Sequence, residues 1–490
     1  LGIFAWAPAT YPGYWQGLEG FAPVFNAVEI QPIAHIAMSA DLWRGAGGDA
    51  FLLALPLLVL GFSPTTAVRV CFILMLILGG LGMYSWLRPR LGDRGAGLAG
   101  LVYMLLPPVL ATVYWRGSLS DAIILGLLPM ALAGVSSYAA NRSLTGSAVA
   151  VITLVWMWRA QAGLALGATL LLLAYVWLVE RNGWGLLLVG ISSGAGGLSL
   201  WPVWSLQAPA PVLFHEQYLS LYQLLGAGGS NGVSLQLGFA ALGLATVTVW
   251  QWGSGAAGRL PPDLRRLLLF CGLCSVLLGV LTLSGSSLFW QWTGAERMLT
   301  YPWQTLLLAA PLLAALAGAA PTLHPHFGAP AFWVTLVILT IVSSYPLLTA
   351  DFTQVRPPAR PVAVFGPHHN LVILDAELTE QVAPPQVELR LTWQVLQTLD
   401  VDYNIFFQAQ TGDPAAPQVI AQLDTQPLDE NRPATTWQPG EIFTHTYRLD
   451  LSGLEAARDL RYVFGYYDWR DGQRLRLTNG IDDKVVFYGQ

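Results

Sequence analysis

The stretch GGLGMYSWLRPRLGDRGAGLAGLVYMLLPPVLATVYWRGSLSDAIILGLLP (79–129) decides how this chain is read. It holds the end of one apolar run, a turn bearing Arg88, Arg90 and Arg94, a second apolar run, and a turn with Arg116 and Asp121 that opens a third. A helix that crosses hydrocarbon needs about 20 mostly apolar residues. The runs 67–87, 95–113 and 119–138 approach or meet that length, so the pattern predicts consecutive membrane spans joined by charged turns.

Working outward, the same criterion predicts spans over 145–158, 160–179, 183–203, 232–252, 267–287, 300–320 and 330–350. The run 50–62 is too short to cross and reads as a re-entrant or interfacial helix. Only 11% of the 490 residues are charged and 54% are hydrophobic, with a mean hydropathy of +0.51. Soluble globular proteins carry about 25% charged residues, which argues against an ordinary soluble enzyme. The absence of a basic patch and a pI near 5.8 argue against a nucleic-acid partner.

Arginine placement predicts orientation, because cytoplasmic loops are enriched in positive charge. Alternating spans put Arg88, Arg90, Arg94, Arg142, Arg181, Arg259, Arg265 and Arg266 on one face, expected to be cytoplasmic. Residues 1–66, the loops 204–231 and 288–299, and the C-terminal region then lie outside. Because the chain opens at Leu1, a first span ending near Trp6 is also expected, for about 10–11 spans in all.

After Asp351 the texture changes. Residues 1–350 carry a net +3, whereas 351–490 carry a net −8. A proline-rich linker, 351–364, leads into short alternating runs: VELRLTWQV, DYNIFFQAQ, IFTHTYRLDL, LRYVFGYYD and RLRLTN. Their spacing predicts an all-β antiparallel sandwich over 365–490, with Trp393, Trp437, Tyr466, Tyr467 and Trp469 available for its core or for stacking on sugars. The four expected parts are 1–66, 67–350, 351–364 and 365–490.

Ionisable groups beside a span are costly and draw attention as functional candidates. Asp121 falls in the first turn of a helix, where the exposed N–H groups favour a carboxylate, and Arg116 is placed to pair with it. That couple reads either as an anion site or as a structural pair with a cap. Other outer-face acids are Glu19, Glu29, Asp41, Asp49, Glu216 and Glu296, with His35, His215 and Arg297 nearby in sequence. No His/Cys/carboxylate spacing suits zinc, no span holds a haem-ligating His, and no Walker or GxGxxG loop is present. No cofactor is therefore expected, beyond a divalent metal if the chain is catalytic. Cys271 and Cys274 read as small residues inside a helix.

Several segments together resemble a branch of the GT-C superfamily of integral membrane glycosyltransferases, the bacterial membrane proteins labelled as related to 6-pyruvoyl-tetrahydropterin synthase. They are YPGYWQGLEG (11–20), FLLALPLLVLGFSPTTAVRV (51–70), the quoted 79–129 stretch, SLQLG (234–238) and MLTYPWQTLLLAAPLLAALAG (298–318), with a C-terminal sandwich of the kind often appended to such proteins. The resemblance implies sugar transfer from a polyprenyl-phosphate donor at the outer membrane face. It carries Glu19 and Asp121 over as candidate bases, and Arg116 and Arg297 as candidate donor-phosphate ligands. This chain departs from the pattern at Gln31, at Gln304 after Pro302-Trp303, where relatives carry Arg, and at Arg159-Ala160-Gln161, where relatives carry His-Asn. A Gln cannot neutralise a phosphate, and charge-assisted contacts are about twice as strong as neutral ones.

Two functional readings follow. One is an accessory or scaffolding subunit of a larger bacterial membrane complex, held in the inner membrane by lipid contacts and bound to other subunits, with its catalytic site eroded. The other is an active transferase that takes a polyprenyl-phosphate sugar.

Overall fold

The computed structural model describes residues 14–15, 48–62, 64–200, 214–226, 235–255, 260–348, 352–353 and 362–488, the last range without the short stretches 367–369, 383–384, 413–416, 429–431, 453–459 and 478–482. Among them, 48–344 are helical apart from connections, and 363–488 are β structure.

The helical segment α1, Pro64–Met104, is a hairpin. Gly92 takes φ 68°, ψ −179°, a left-handed position open to a residue without a Cβ. The two arms, 64–91 and 93–104, lie close enough that a Cβ on Gly100 would stand 2.9 Å from the Gly80 carbonyl oxygen. The expected break between 87 and 95 is thus present. Leu106 is extended ahead of Pro107 and Pro108, because a residue before proline is pushed out of the helical region and proline offers no N–H. The chain resumes as α2, Pro107–Leu110, and widens into a π-turn over Ala111–Arg116.

Eight longer helices follow: α3 Leu119–Asn141, α4 Leu144–Ala160, α5 Ala162–Tyr175, α6 Gly183–Leu198, α7 Phe239–Gly253, α8 Pro262–Val280, α9 Thr305–Leu323 and α10 Pro330–Ser344. Serine or asparagine caps start several of them, as at Ser118, Ser143 and Asn182, satisfying N–H groups that a helix leaves open. Glycines set the closest approaches. A Cβ on Gly134 of α3 would stand 2.8 Å from the Gly146 carbonyl oxygen of α4, and one on Gly318 of α9 would stand 2.6 Å from that of Gly95. Such small-residue contacts are how helices associate when burial of apolar surface supplies little drive.

Among the described residues, five helical segments are long and apolar enough to cross a membrane: Thr66–Met104, Leu119–Asn141, Ala162–Glu180, Pro302–Leu323 and Pro330–Leu347. The helices α4 and α6 are apolar but shorter. Pro302–Leu323 is enclosed on nearly all sides (94%), whereas Pro330–Leu347 is 17% buried and forms an outer wall. The 50–62 run is a 3-10 turn, Gly48–Ala54, followed by a short helix, Leu55–Val59. Ala50 and Ala54 are buried while Val59 and Leu60 are exposed.

The C-terminal domain packs two antiparallel sheets on one core. Its strands are β1 Ala363–Phe365, β2 Leu371–Val382, β3 Pro385–Val395, β4 Tyr403–Thr411, β5 Gln418–Thr425, β6 Ile442–Asp450, β7 Arg461–Asp468, β8 Arg474–Leu475 and β9 Val485–Tyr488. One sheet runs β1-β2-β3-β6 and the other β8-β7-β4-β5, with β9 also beside β7. Every sequence-predicted run is a strand, although RLRLTN pairs only over Arg474–Leu475 and at an isolated bridge from Leu477 to Phe365. β2 and β5 were not anticipated, because acids and glutamines occupy their outward positions and thin the apolar alternation. Trp393, Trp437 and Tyr466 are buried in the shared core, whereas Trp469 is 59% exposed. The stretch expected to be a linker contains a two-residue strand, Phe352–Thr353, paired with Tyr14–Trp15, and the first sandwich strand begins at Ala363.

Candidate functional site

The turn between α2 and α3 builds a closed charge cluster from local chemistry. After the π-turn, Gly117 takes a left-handed conformation, φ 63°, and reverses the chain into the Ser118 cap. The Ser118 hydroxyl accepts from the Asp121 N–H at 3.4 Å, and Asp121 sits in the first turn of α3 as expected. π-turns recur at functional sites. Here the wider turn presents the Arg116 guanidinium to Asp121, and the two form an ion pair with 3% and 0% of their side chains exposed.

The sequence gives no hint of what closes this pair. Gln304, just ahead of α9, donates from Nε2 to the same Asp121 oxygen at 2.9 Å. Its Oε1 accepts from the backbone N–H groups of Thr300 and Tyr301 at 2.9 and 3.0 Å, which fixes the amide orientation. Tyr301 and Trp303 stack with ring centroids 4.9 Å apart and planes 9° apart. The Arg116 guanidinium carbon lies 4.9 Å from the Tyr301 centroid and 5.6 Å from that of Trp303. A cation over a desolvated aromatic face gains about 2 kcal/mol. Gln304 thus stands where an arginine was expected and, instead of adding positive charge, adds a neutral hydrogen bond to an Asp121 that Arg116 already neutralises.

An apolar roof continues outward from the two rings, made of Leu219, Leu224, Leu235 and Leu283 with Trp303 and Leu306. Just ahead of Leu219 in the chain, His215 Nε2 lies 2.7 Å from Glu296, and its Nδ1 lies 3.2 Å from the Tyr218 hydroxyl. Arg297 follows Glu296 in a 3-10 turn and is itself exposed, while Arg116 lies in the buried cluster. Of the candidate residues, the structure brings together Arg116 with Asp121 and, separately, His215 with Glu296. Glu19 lies outside the described residues, as do Glu29, His35 and Asp41. Arg159 donates to the Ser199 carbonyl at 3.1 Å, and the neighbouring Gln161 caps α5 through the Leu164 N–H.

A second buried pair was missed. Arg90, at the end of the first α1 arm, donates from Nη2 to both Glu180 carboxylate oxygens at 2.8 and 2.9 Å. Ser136 donates to Glu180 at 2.7 Å, Tyr175 also donates to it, and Trp86 Nε1 donates to the Tyr175 hydroxyl at 2.9 Å. The available signal was an acid, Glu180, at the very end of an apolar run. A charge there demands a partner.

Among the described residues, no group of three or more His, Cys, Asp and Glu side chains is placed to hold a metal ion. Cys271 and Cys274 lie within α8 as free thiols. No protein-family model matches the chain, and no curated protein matches it either.

Proposed function

We propose that this chain is an accessory or scaffolding subunit of a larger bacterial membrane complex. In this reading it is embedded in the inner membrane on a GT-C-like helical bundle, and its sandwich sits on the extracytoplasmic side against other subunits. The observation that supports the reading is the closed state of Asp121. A general base must reach the proton that it removes, and a phosphate ligand must have positive charge to offer. Here the Asp121 side chain has no exposed surface, and it engages both Arg116 and Gln304. Arg116 in turn lies under two aromatic rings and an apolar roof. Opening that cluster to a polyprenyl-phosphate sugar would separate a buried ion pair, which costs about 3–5 kcal/mol.

Extraction in mild detergent, followed by size-exclusion chromatography and mass spectrometry, tests the proposal. The expected outcome is elution in a stable complex with other membrane proteins at fixed stoichiometry. Elution as a lone monomer would count against it. Sugar transfer from a polyprenyl-phosphate donor by the purified chain, abolished by Asp121→Asn, would establish the transferase instead.

A further inference from the structure

The break at Leu106–Pro107 leaves a cavity of about 90 Å³ between the α1–α2 junction, the start of α7 and the end of α10. Its walls include Pro107, Gln236, Gly238, Thr340, Ser343 and Ser344. From these walls we propose that the cavity holds the phosphodiester of a glycerophospholipid drawn from the surrounding leaflet. The inference rests on the membrane placement proposed above, though not on the subunit role.

Three features specify the chemistry. First, α7 starts at this cavity without a side-chain cap. Its cap residue is Gly238, at φ 88°, and the first backbone bond of the helix runs from the Leu242 N–H to the Gly238 carbonyl at 3.0 Å. The N–H groups of Phe239, Ala240 and Ala241 precede that bond, and all three residues line the cavity. Such a helix start is an anion site in waiting. Second, Ser344 is 6% exposed and its hydroxyl makes no hydrogen bond among the described residues, whereas its neighbours are satisfied: Thr340 donates to the Leu336 carbonyl at 2.8 Å and Ser343 to that of Thr340 at 3.1 Å. Ser344 therefore offers the cavity a hydroxyl that no described protein group occupies.

Third, the wall carries neither an acid nor a base. Without acids it does not attract a cation, and without Arg or Lys it suits a group of low charge. A phosphodiester carries a single negative charge, which the partial positive charge of about +0.5 at one helix start can offset. The rim points to a lipid as the source. Phe239, at the mouth, is 77% exposed, and Ile338 and Val342 of α10 are 53% and 62% exposed, so acyl chains have an apolar face to follow.

The test uses the full chain, extracted in mild detergent, delipidated by exchange, and offered phosphatidylglycerol, diacylglycerol or inorganic phosphate before native mass spectrometry. One phosphatidylglycerol should be retained at least about tenfold more tightly than diacylglycerol, since a hydrogen bond to a charged group is the stronger kind. Ala240→Asp puts a carboxylate where the helix dipole welcomes it but the phosphate does not, so helicity should persist while retention falls about tenfold or more. Ser344→Ala should weaken retention about tenfold, and it decides the matter if Ala240→Asp does not fold. Equal retention of diacylglycerol, inorganic phosphate binding as tightly as the lipid, or full retention by the folded variants would overturn the site. A chain recovered in the aqueous phase without detergent would overturn the membrane placement as well.

Discussion

Two buried arginine–carboxylate pairs stand about 22 Å apart along α3, measured from Asp121 to Ser136 at 1.5 Å per residue, and they are assembled in opposite ways. The Arg116–Asp121 pair is made within one turn and closed by a distant residue, Gln304. The Arg90–Glu180 pair joins residues 90 positions apart and is closed by the nearby Tyr175, five residues before Glu180. One uses an amide and aromatic faces to replace water. The other uses hydroxyls. In both, every charged group meets a partner of complementary character, as a buried ion must. The contrast teaches that a charge inside an apolar bundle is not by itself a mark of catalysis, since here the same device appears both at the turn singled out from the sequence and at a helix end that was not.

The sharpest way to break this comparison is to remove one partner of the more enclosed pair. Asp121→Asn leaves the Arg116 charge buried without its counter-ion, and destabilisation of about 3–5 kcal/mol is expected. The measurement is thermal unfolding in detergent followed by loss of the monodisperse peak. Replacing both members, Arg116→Met with Asp121→Leu, should recover most of the loss, because an apolar pair of similar volume needs no compensation. A double variant as unstable as Asp121→Asn alone would show that the pair does more than hold the turn.

Glu180→Gln applies the same break to the other pair. Arg90 and Glu180 keep 16% and 8% of their side chains exposed, so water reaches the orphaned guanidinium and the expected loss is nearer the low end, about 3 kcal/mol. An effect larger than that of Asp121→Asn would reverse the ranking by enclosure. Smaller again is Tyr175→Phe, which removes a donor to Glu180 and the acceptor for Trp86 Nε1 while the ring keeps its packing. A loss of about 2 kcal/mol, typical of a hydrogen bond to a charged group, is expected in the same assay.

The two pairs also differ in how far the sequence revealed them. Arg116 and Asp121 are five residues apart beside a glycine and a serine cap, so helix-start chemistry alone predicts their meeting. Gln304 stands out in the sequence only as a residue where an arginine was expected, and its bond to Asp121 spans 183 residues and depends on how α9 docks. Arg90 was read only as a loop charge that sets orientation. Its partner lies at the far end of another helix, where local periodicity carries no information about which helices touch. Apolar run length places 119–138, 145–158 and 300–320 within a few residues of their helices, but the expected span 95–113 is interrupted at Leu106–Pro107, 232–252 begins at Phe239, and 267–287 lies over Pro262–Val280. In the sandwich, β3, β4, β6 and β7 were legible from their alternation, whereas β2, LVILDAELTEQV, turns Asp375 and Glu377 outward and breaks its inner face with Glu380, which accepts from the Tyr462 hydroxyl at 2.8 Å.

The limiting case for the comparison is an ion pair in water. On the turn after β7, Arg470 holds Asp468 through contacts at 2.9 and 2.7 Å, and its backbone N–H adds a third at 3.0 Å. The Arg470 side-chain contact, followed by that N–H, lowers the Asp468 carboxyl below its ordinary value. A carboxylate whose native pKa is depressed stabilises the fold fully above the unfolded value of about 4, and that contribution is lost as pH falls through the native value. Hydrogen exchange of β7 peptides in the wild type and in Asp468→Asn should therefore differ at neutral pH, begin to approach one another below about pH 4, and converge only once pH has fallen through the depressed native value. The difference should also shrink in high salt, since exposed pairs are screened. The Arg116–Asp121 pair, with 3% and 0% of its side chains exposed, should show neither response, because salt does not reach it. A wild-type advantage at Asp468 that survived both acid and salt would mean that this exposed contact is held as tightly as the buried ones, and the ranking by enclosure would fall.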